Sequence, residues 1–154
     1  MEDDIKILKK SEVEELMPQQ FPFLFLEDAK IEGTKITSSY YIRGDEFFLE
    51  GHFKGNPVFP AALSIEAVGQ LGVLYLLAAT DKRLKKPVDP KQIFFTSADG
   101  VRCFKICRPK DRIDLEVEIT AIRHPLAVIK ANTYVNGERA SHTERVCLTF
   151  NYKD

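Results

Sequence analysis

Residues 51–80 read GHFKGNPVFPAALSIEAVGQLGVLYLLAAT, and the rest of the chain is interpreted around them. The first ten positions hold two glycines, two prolines and His52, a loop with little conformational freedom. Pro60 stands where a helix can begin, since its missing N–H is one that a first turn leaves unpaired anyway. From Ala61 to Ala79 the residues are apolar almost all round, with Glu66 and Gln70 as the large polar exceptions. A helix apolar on every side is a buried helix. The pattern therefore predicts a helix from about Pro60 to Thr80, with a histidine on the stiff loop before it and a carboxyl inside it.

Working outward, the chain of 154 residues is long enough for one domain with a real core. We expect a single domain over residues 1–154. The 22 basic and 23 acidic residues nearly cancel, so the total charge points to neither a nucleic-acid nor a membrane partner. The opening MEDDIKILKK is charged from its second residue and does not read as a secretory leader. The apolar run Leu71–Ala79 is short of the roughly 20 residues that span a bilayer. Three cysteines, an odd number, give no disulfide framework. Cys103 and Cys107, four apart on an expected strand, would be about 13 Å apart, too far to bridge. These features predict a reduced, cytoplasmic protein.

Ser11-Glu12-Val13-Glu14 fits a capping box for a short helix to about Leu16, with Ser11 as the cap. Phe21–Leu26 is aromatic-rich, and 29–42 alternates around Gly33-Thr34, as a hairpin or a long bent strand does. Lysine-dense 81–91 reads as a linker. Strands follow over 92–105, 112–123 (Ile113, Leu115, Val117, Ile119 and Ala121 inward), 127–135 and 139–152. Turns are expected at His124-Pro125 and at Asn136-Gly137, the strongest hairpin signal in the chain. One buried helix followed by an antiparallel meander is an α+β arrangement in which the sheet wraps the helix.

These residues resemble the hot-dog-fold β-hydroxyacyl-acyl-carrier-protein dehydratases of the FabZ and FabA type. The matching positions are His52, Phe53, Gly55, Pro57, Val58, Pro60, Glu66, Ala67 and Gln70. Residues 18–24 are similar to the family's Pro-His-Arg-Tyr-Pro-Phe-Leu segment, and 99–111 to its Asp-Lys-Ala-Arg through Pro-Gly-Asp segment. The resemblance implies a 3-hydroxyacyl thioester dehydratase that forms trans-2-enoyl thioesters on acyl carrier protein. It also implies a homodimer, with a hexamer as the larger assembly, that joins His52 of one chain to Glu66 of the other. Three departures stand out: Lys54 for proline, Phe59 for methionine near the substrate tunnel, and Ala61 for the glycine that opens the helix. The alanine keeps the N–H that the family uses to polarise the thioester carbonyl, and adds a methyl group beside it.

The residue types suit that chemistry on their own terms. A histidine can take and return a proton near neutrality. A carboxyl in an apolar helix holds its proton more tightly through desolvation, as a general acid needs. The N–H groups of Ala61 and Ala62 at a helix start can stabilise an enolate-like oxygen. His52 and Glu66 are thus the candidate catalytic pair. Ala61, Ala62, Phe59 and Gln70 are the candidates around the substrate, with Gln70 also placed to orient Glu66 or cap a neighbour. Each also has a bland reading: His52 as a structural hydrogen-bonder, Glu66 as a carboxylate held by backbone donors. The aromatics Phe21, Phe23, Phe25, Phe94 and Phe95 are expected in the core or the tunnel lining, with core favoured. His124 and His142 are expected in solvent. No metal or nucleotide motif is present, so no cofactor is expected.

Two other functions compete with the dehydratase: a hot-dog acyl thioesterase, against which His52 argues, and a non-catalytic acyl-binding subunit, for which Ala61 argues. Two basic clusters, Lys82, Arg83, Lys85 and Lys86 or Arg102, Lys105 and Arg108, could receive an acidic carrier protein.

Overall fold

A computed structural model describes residues 4–154. Seven strands form one antiparallel sheet: β1 (Ile5–Leu8), β2 (Ala29–Glu32), β3 (Lys35–Tyr41), β4 (Val88–Cys103), β5 (Arg112–Arg123), β6 (Leu126–Val135) and β7 (Glu138–Tyr152). Their order across the sheet is β1-β2-β3-β5-β6-β7-β4. Helix α1 covers Lys10–Leu16 and helix α2 covers Ala61–Ala78. The sheet curves around α2, which touches β3, β4, β5, β6 and β7.

Periodicity explains the inward face. Along β6, Ala127, Ile129, Ala131, Thr133 and Val135 are all buried and alternate with more exposed residues, as the two-residue repeat of a strand demands. In β5 the buried set runs Ile113, Leu115, Val117, Ile119 and then Ile122, not Ala121. A bulge between Ile119 and Ala121 inserts one residue and shifts the phase. The β6–β7 turn is the expected Asn136-Gly137 pair, with φ of 52° and 79°, both left-handed as a tight hairpin requires.

Helix α2 is buried from Ala67 to Leu76. Its 18 residues have a mean hydropathy of 1.6, enough by length and composition to cross a membrane, yet 67% of them lie under the sheet, so it is the core helix of the fold. Its exposed end is the first turn, Ala61 and Ala62.

Several boundaries differ from expectation. Helix α1 begins two residues earlier, with Lys9 rather than Ser11 at its cap, because Glu12 rather than Glu14 reaches back, its Oε1 accepting from the Lys9 N–H at 2.9 Å. The expected linker 81–91 is strand from Val88, and the expected strand to 105 stops at Cys103, so Cys107 lies in the following loop. Strand β1 was not expected from sequence; its exposed Ile5 and Ile7 give no inward pattern. Of the five phenylalanines expected in the core or the tunnel lining, Phe25 is in the core and Phe95 lines the cavity beside Glu66. Phe94 and Phe95 remain 62% and 39% exposed because β4 is an edge strand paired only with β7. Phe21 and Phe23 lie on a loop and are also exposed. His124 is exposed as expected, with its ring stacked on Tyr152, whereas His142 is half-buried between Asn132 and Glu144.

The close fit of α2 yields a stability test. A Cβ at Gly72 would meet Ile129 Cδ1 at 3.0 Å and Leu148 Cδ1 at 3.3 Å, whereas one at Gly51 meets nothing within 4 Å. Gly72→Val is expected to cost about 1–3 kcal/mol by denaturant unfolding. Gly51→Ala is expected to stay within about 0.5 kcal/mol of the parent.

Candidate active site

The loop carrying His52 is held at both ends. Upstream, Glu46 is buried and accepts hydrogen bonds from Tyr40 Oη (2.6 Å), Gly44 N (2.8 Å) and Arg43 N (3.1 Å). Burial alone would raise this carboxyl, but the donors outweigh it and hold it below its ordinary value. Downstream, Phe59 donates its N–H to Cys107 O at 2.8 Å. Its ring packs edge-to-face with Phe25 and Phe48 (6.1 and 5.5 Å between centroids). Phe59 is thus buried, and it lines the His52 cavity as one wall.

His52 closes the loop on itself. Its carbonyl accepts from Val58 N at 2.8 Å, and its Nδ1 lies 2.9 Å from Val58 O. A carbonyl oxygen only accepts, so Nδ1 carries a hydrogen, and in the neutral ring Nε2 keeps its lone pair. This is the tautomer a general base needs. The ring stacks on Phe53 with centroids 4.0 Å apart. It borders a cavity of about 520 Å³ that also touches Phe59, Ala61 and Ser64, the Cys103–Arg108 segment, and Thr133 and Ser141.

Pro60 caps α2 with no side-chain hydrogen bond, and no acidic residue sits in the first turn. The N–H groups of Ala61 and Ala62 are therefore available to an incoming oxygen. Ala61 borders the His52 cavity. Ala62 borders a second cavity, of about 280 Å³, with Ile65, Glu66 and the Phe95–Ala98 stretch of β4. There desolvation raises the Glu66 carboxyl above its ordinary value, against a smaller lowering by the Gln70 hydrogen bond. Gln70 itself is fully buried; its amide bonds Glu66 Oε2 at 2.9 Å and also the backbone of Phe23 and Phe25, so it contacts both the carboxyl and a neighbouring segment, and it lines neither cavity.

The fold therefore gathers His52, Phe59 and Ala61 in one cavity and Ala62 with Glu66 in another. Within one chain His52 and Glu66 line different cavities, and β4 borders both. The sequence reading missed Thr133 and Ser141, whose hydroxyls lie 2.6 Å apart in the His52 cavity. Their signal was a polar residue at an inward position of β6, placed opposite Ser141 by the register. It also missed that Cys103 and Cys107 reach this same cavity; both are free thiols, and burial pushes Cys107 up to about 11.

One helix wrapped by an antiparallel sheet, with this loop at its start, is the hot-dog fold. Residues 17–144 match the family model described as a FabA-like domain, and the chain belongs to that family. Among curated relatives it is 36% identical over 141 residues to "3-hydroxyacyl-[acyl-carrier-protein] dehydratase FabZ" of Thermomicrobium roseum, covering 90% of each chain. It is 35% identical over 127 residues to the protein of the same name from Caldicellulosiruptor saccharolyticus, covering 80% of this chain and 86% of that one. Among solved structures, the dehydratase heterocomplex ApeI:P from Xenorhabdus doucetiae superposes with a TM-score of 0.69 at 14% identity. That match covers 92% of this chain and 91% of that one, and it shows the shared fold.

The raised Glu66 carboxyl makes a stability prediction with a defined sign. A carboxyl raised on folding contributes fully below its unfolded value of about 4.5, and that contribution is lost as pH rises through the folded value. Glu66→Gln, which cannot ionise, is expected to gain in Tm relative to the parent between pH 4.5 and pH 8. A constant Tm difference across that range would show that Glu66 is not desolvated.

Proposed function

We propose that this protein is a 3-hydroxyacyl-[acyl-carrier-protein] dehydratase (a hydro-lyase), acting as a single hot-dog unit in fatty-acid or related acyl-chain synthesis. The observation that carries this reading is the His52 tautomer: its Nδ1 is committed to Val58 O, leaving Nε2 as a base beside the open start of α2. Family membership and the curated relatives support it.

His52 Nε2 takes the C2 proton of the 3-hydroxyacyl thioester. The charge moves onto the thioester oxygen, which the Ala61 and Ala62 N–H groups stabilise with the positive end of the helix dipole. Glu66, protonated, then gives its hydrogen to the departing 3-hydroxyl. Water leaves, and a trans-2-enoyl thioester remains. No step calls for a metal or cofactor. A histidine in this loop pattern argues against a hot-dog thioesterase, and a purely acyl-binding subunit would need neither base nor acid.

The active form in this reading is a homodimer. Strand β4 offers an unpaired edge with exposed Phe94, Phe95 and Val101, followed by exposed Phe104 and Ile106. Such an edge is a template for pairing with a second chain. A two-fold axis between Ala98 and Cys103 sets the Glu66 cavity of one protomer opposite the His52 cavity of its partner. Two sites then form, each with His52 and the helix start from one chain and Glu66 from the other. A hexamer of three such dimers remains compatible with this arrangement.

The carrier protein is proposed to land on Arg102, Lys105 and Arg108. Lys105 and Arg108 border the His52 cavity. Lys85 and Lys86 border a different cavity at the C-terminal end of α2, and Arg83 is tied to Asp81 at 2.8 Å. A reduced, cytoplasmic setting fits the three free cysteines.

Mixing two inactive variants tests the chemistry and the shared site together. His52→Ala and Glu66→Gln are each expected to lower kcat by about 10²–10⁴-fold. Unfolding and refolding them together is expected to restore about a quarter of the parent activity, since mixed dimers carry one complete site. No restoration would place both residues in one chain's site. Near-normal turnover by either variant alone would remove it from the chemistry.

The landing surface is tested separately. Arg102→Glu with Lys105→Glu is expected to raise KM for carrier-bound substrate on the order of tenfold at low salt. A short pantetheine thioester should be affected much less, and equal effects on both substrates would argue against the patch.

A further inference from the structure

Gln70 makes three hydrogen bonds, all at 2.9 Å. Its side-chain oxygen accepts from Phe25 N, and its Nε2 donates to Phe23 O and to Glu66 Oε2. The two backbone partners settle which way the amide faces: an N–H only donates and a carbonyl only accepts. Both amide hydrogens are thereby used, and the one aimed at Glu66 requires Oε2 to accept. The frame is rigid. Gln70 is fully buried, and Phe25 is fully buried with its ring edge-to-face against Tyr40, Phe48 and Phe59.

A neutral carboxyl has one carbonyl oxygen and one hydroxyl oxygen, and the carbonyl oxygen is the better acceptor. With Oε2 committed to the amide, the hydrogen belongs on the other oxygen. Among the described residues the carboxyl makes no second hydrogen bond. Its cavity is lined by Ala62, Ile65, Phe95, Thr96, Ser97 and Ala98, none of them charged. In the proposed dimer the titratable and charged groups facing it are those of the second copy's His52 cavity, His52 itself with Cys103, Lys105, Cys107 and Arg108.

We propose that Gln70 is a positioning residue that assigns the acid proton of Glu66 to Oε1, the oxygen free to face the departing hydroxyl. The proposal rests on the reading of Glu66 as the acid. Through it the Phe23–Phe25 backbone, which touches no substrate in this reading, decides which oxygen delivers the proton. An acid whose hydrogen sat on Oε2 would have to rotate or break the amide contact before each turnover.

Infrared difference spectroscopy of the intact protein between low and high pH tests this. The carbonyl stretch of protonated Glu66 is identified by its loss in Glu66→Gln. In the parent it is expected at the position of a hydrogen-bonded carbonyl, and a band at the free-carbonyl position overturns the proposal without any further variant. In Gln70→Met the band is expected to move to higher wavenumber, and an unmoved band overturns it. If the methionine variant does not fold, Gln70→Asn is used. Its amide is one methylene too short to span the three partners, and the same shift is expected.

Kinetics separate positioning from packing. Gln70→Met is expected to lower kcat about tenfold or more with little change in KM. The alkaline limb of kcat should move to higher pH, because the lost N–H no longer favours the carboxylate. A fall in kcat with the limb in place would mean a structural role only. The infrared measurement requires no turnover. A protein without dehydratase activity would thus overturn the proposed function and still leave the proton assignment to be decided by the band.

Discussion

The structure depends on burying α2. Eighteen residues with a mean hydropathy of 1.6 cannot face water on any side but the first turn. Each buried Leu, Val or Tyr along it contributes on the order of 1.5–3 kcal/mol when covered. A single sheet can cover such a helix only by curving around it. The bulge in β5 and the register shifts where β4 and β6 meet β7 are the local means of that curvature. Gly72 lets α2 approach Ile129 and Leu148, and Gly69 admits the Phe95 ring where any side chain would collide. The helix is wrapped closely because small residues sit where the sheet comes nearest.

That wrapping leaves two things unfinished, and both bear on function. Strand β4 ends the sheet with its outer edge unpaired and its aromatic residues exposed. The first turn of α2 emerges with its N–H groups uncapped. The His52 loop arrives at that open turn, anchored by Glu46 on one side and by the ring cluster around Phe59 on the other. The electrostatics follow from position. Nδ1 of His52 is fixed by a carbonyl, and Glu66 sits far enough into the helix that burial raises its carboxyl above its ordinary value. In the proposed reaction the histidine takes the C2 proton and the carboxyl gives one to the departing hydroxyl, as removal of water from a 3-hydroxyacyl thioester requires.

Gln70 shows how an apolar helix carries polar chemistry without penalty. A buried amide with unsatisfied groups would cost about 1–3 kcal/mol per group. Here every hydrogen-bonding site on the amide that geometry can reach is used, by two backbone groups and one carboxyl. The loop between α1 and β2 is thereby part of the site, although it contributes no side chain to either cavity.

Much of this was legible from residue order. The all-apolar run after Pro60 determined a buried helix, the alternation over 112–135 determined strands with one inward face, and Asn136-Gly137 determined the hairpin. Histidine before the helix and carboxyl within it are the two groups proposed for the chemistry, because few other residues in that segment can move a proton. What sequence could not decide was anything that depends on which element lies beside which. Ala121 faces outward because of a bulge, and β4 became an edge with exposed phenylalanines because strand order, not composition, decides what covers a strand. Cys107 joined the His52 cavity because β4 stopped at Cys103. The separation of His52 from Glu66 into two cavities, and the backbone that holds Gln70, are likewise contacts between segments far apart in the chain. A pattern of residue types records what each position tolerates; the partner that satisfies it is supplied only when the chain folds back on itself.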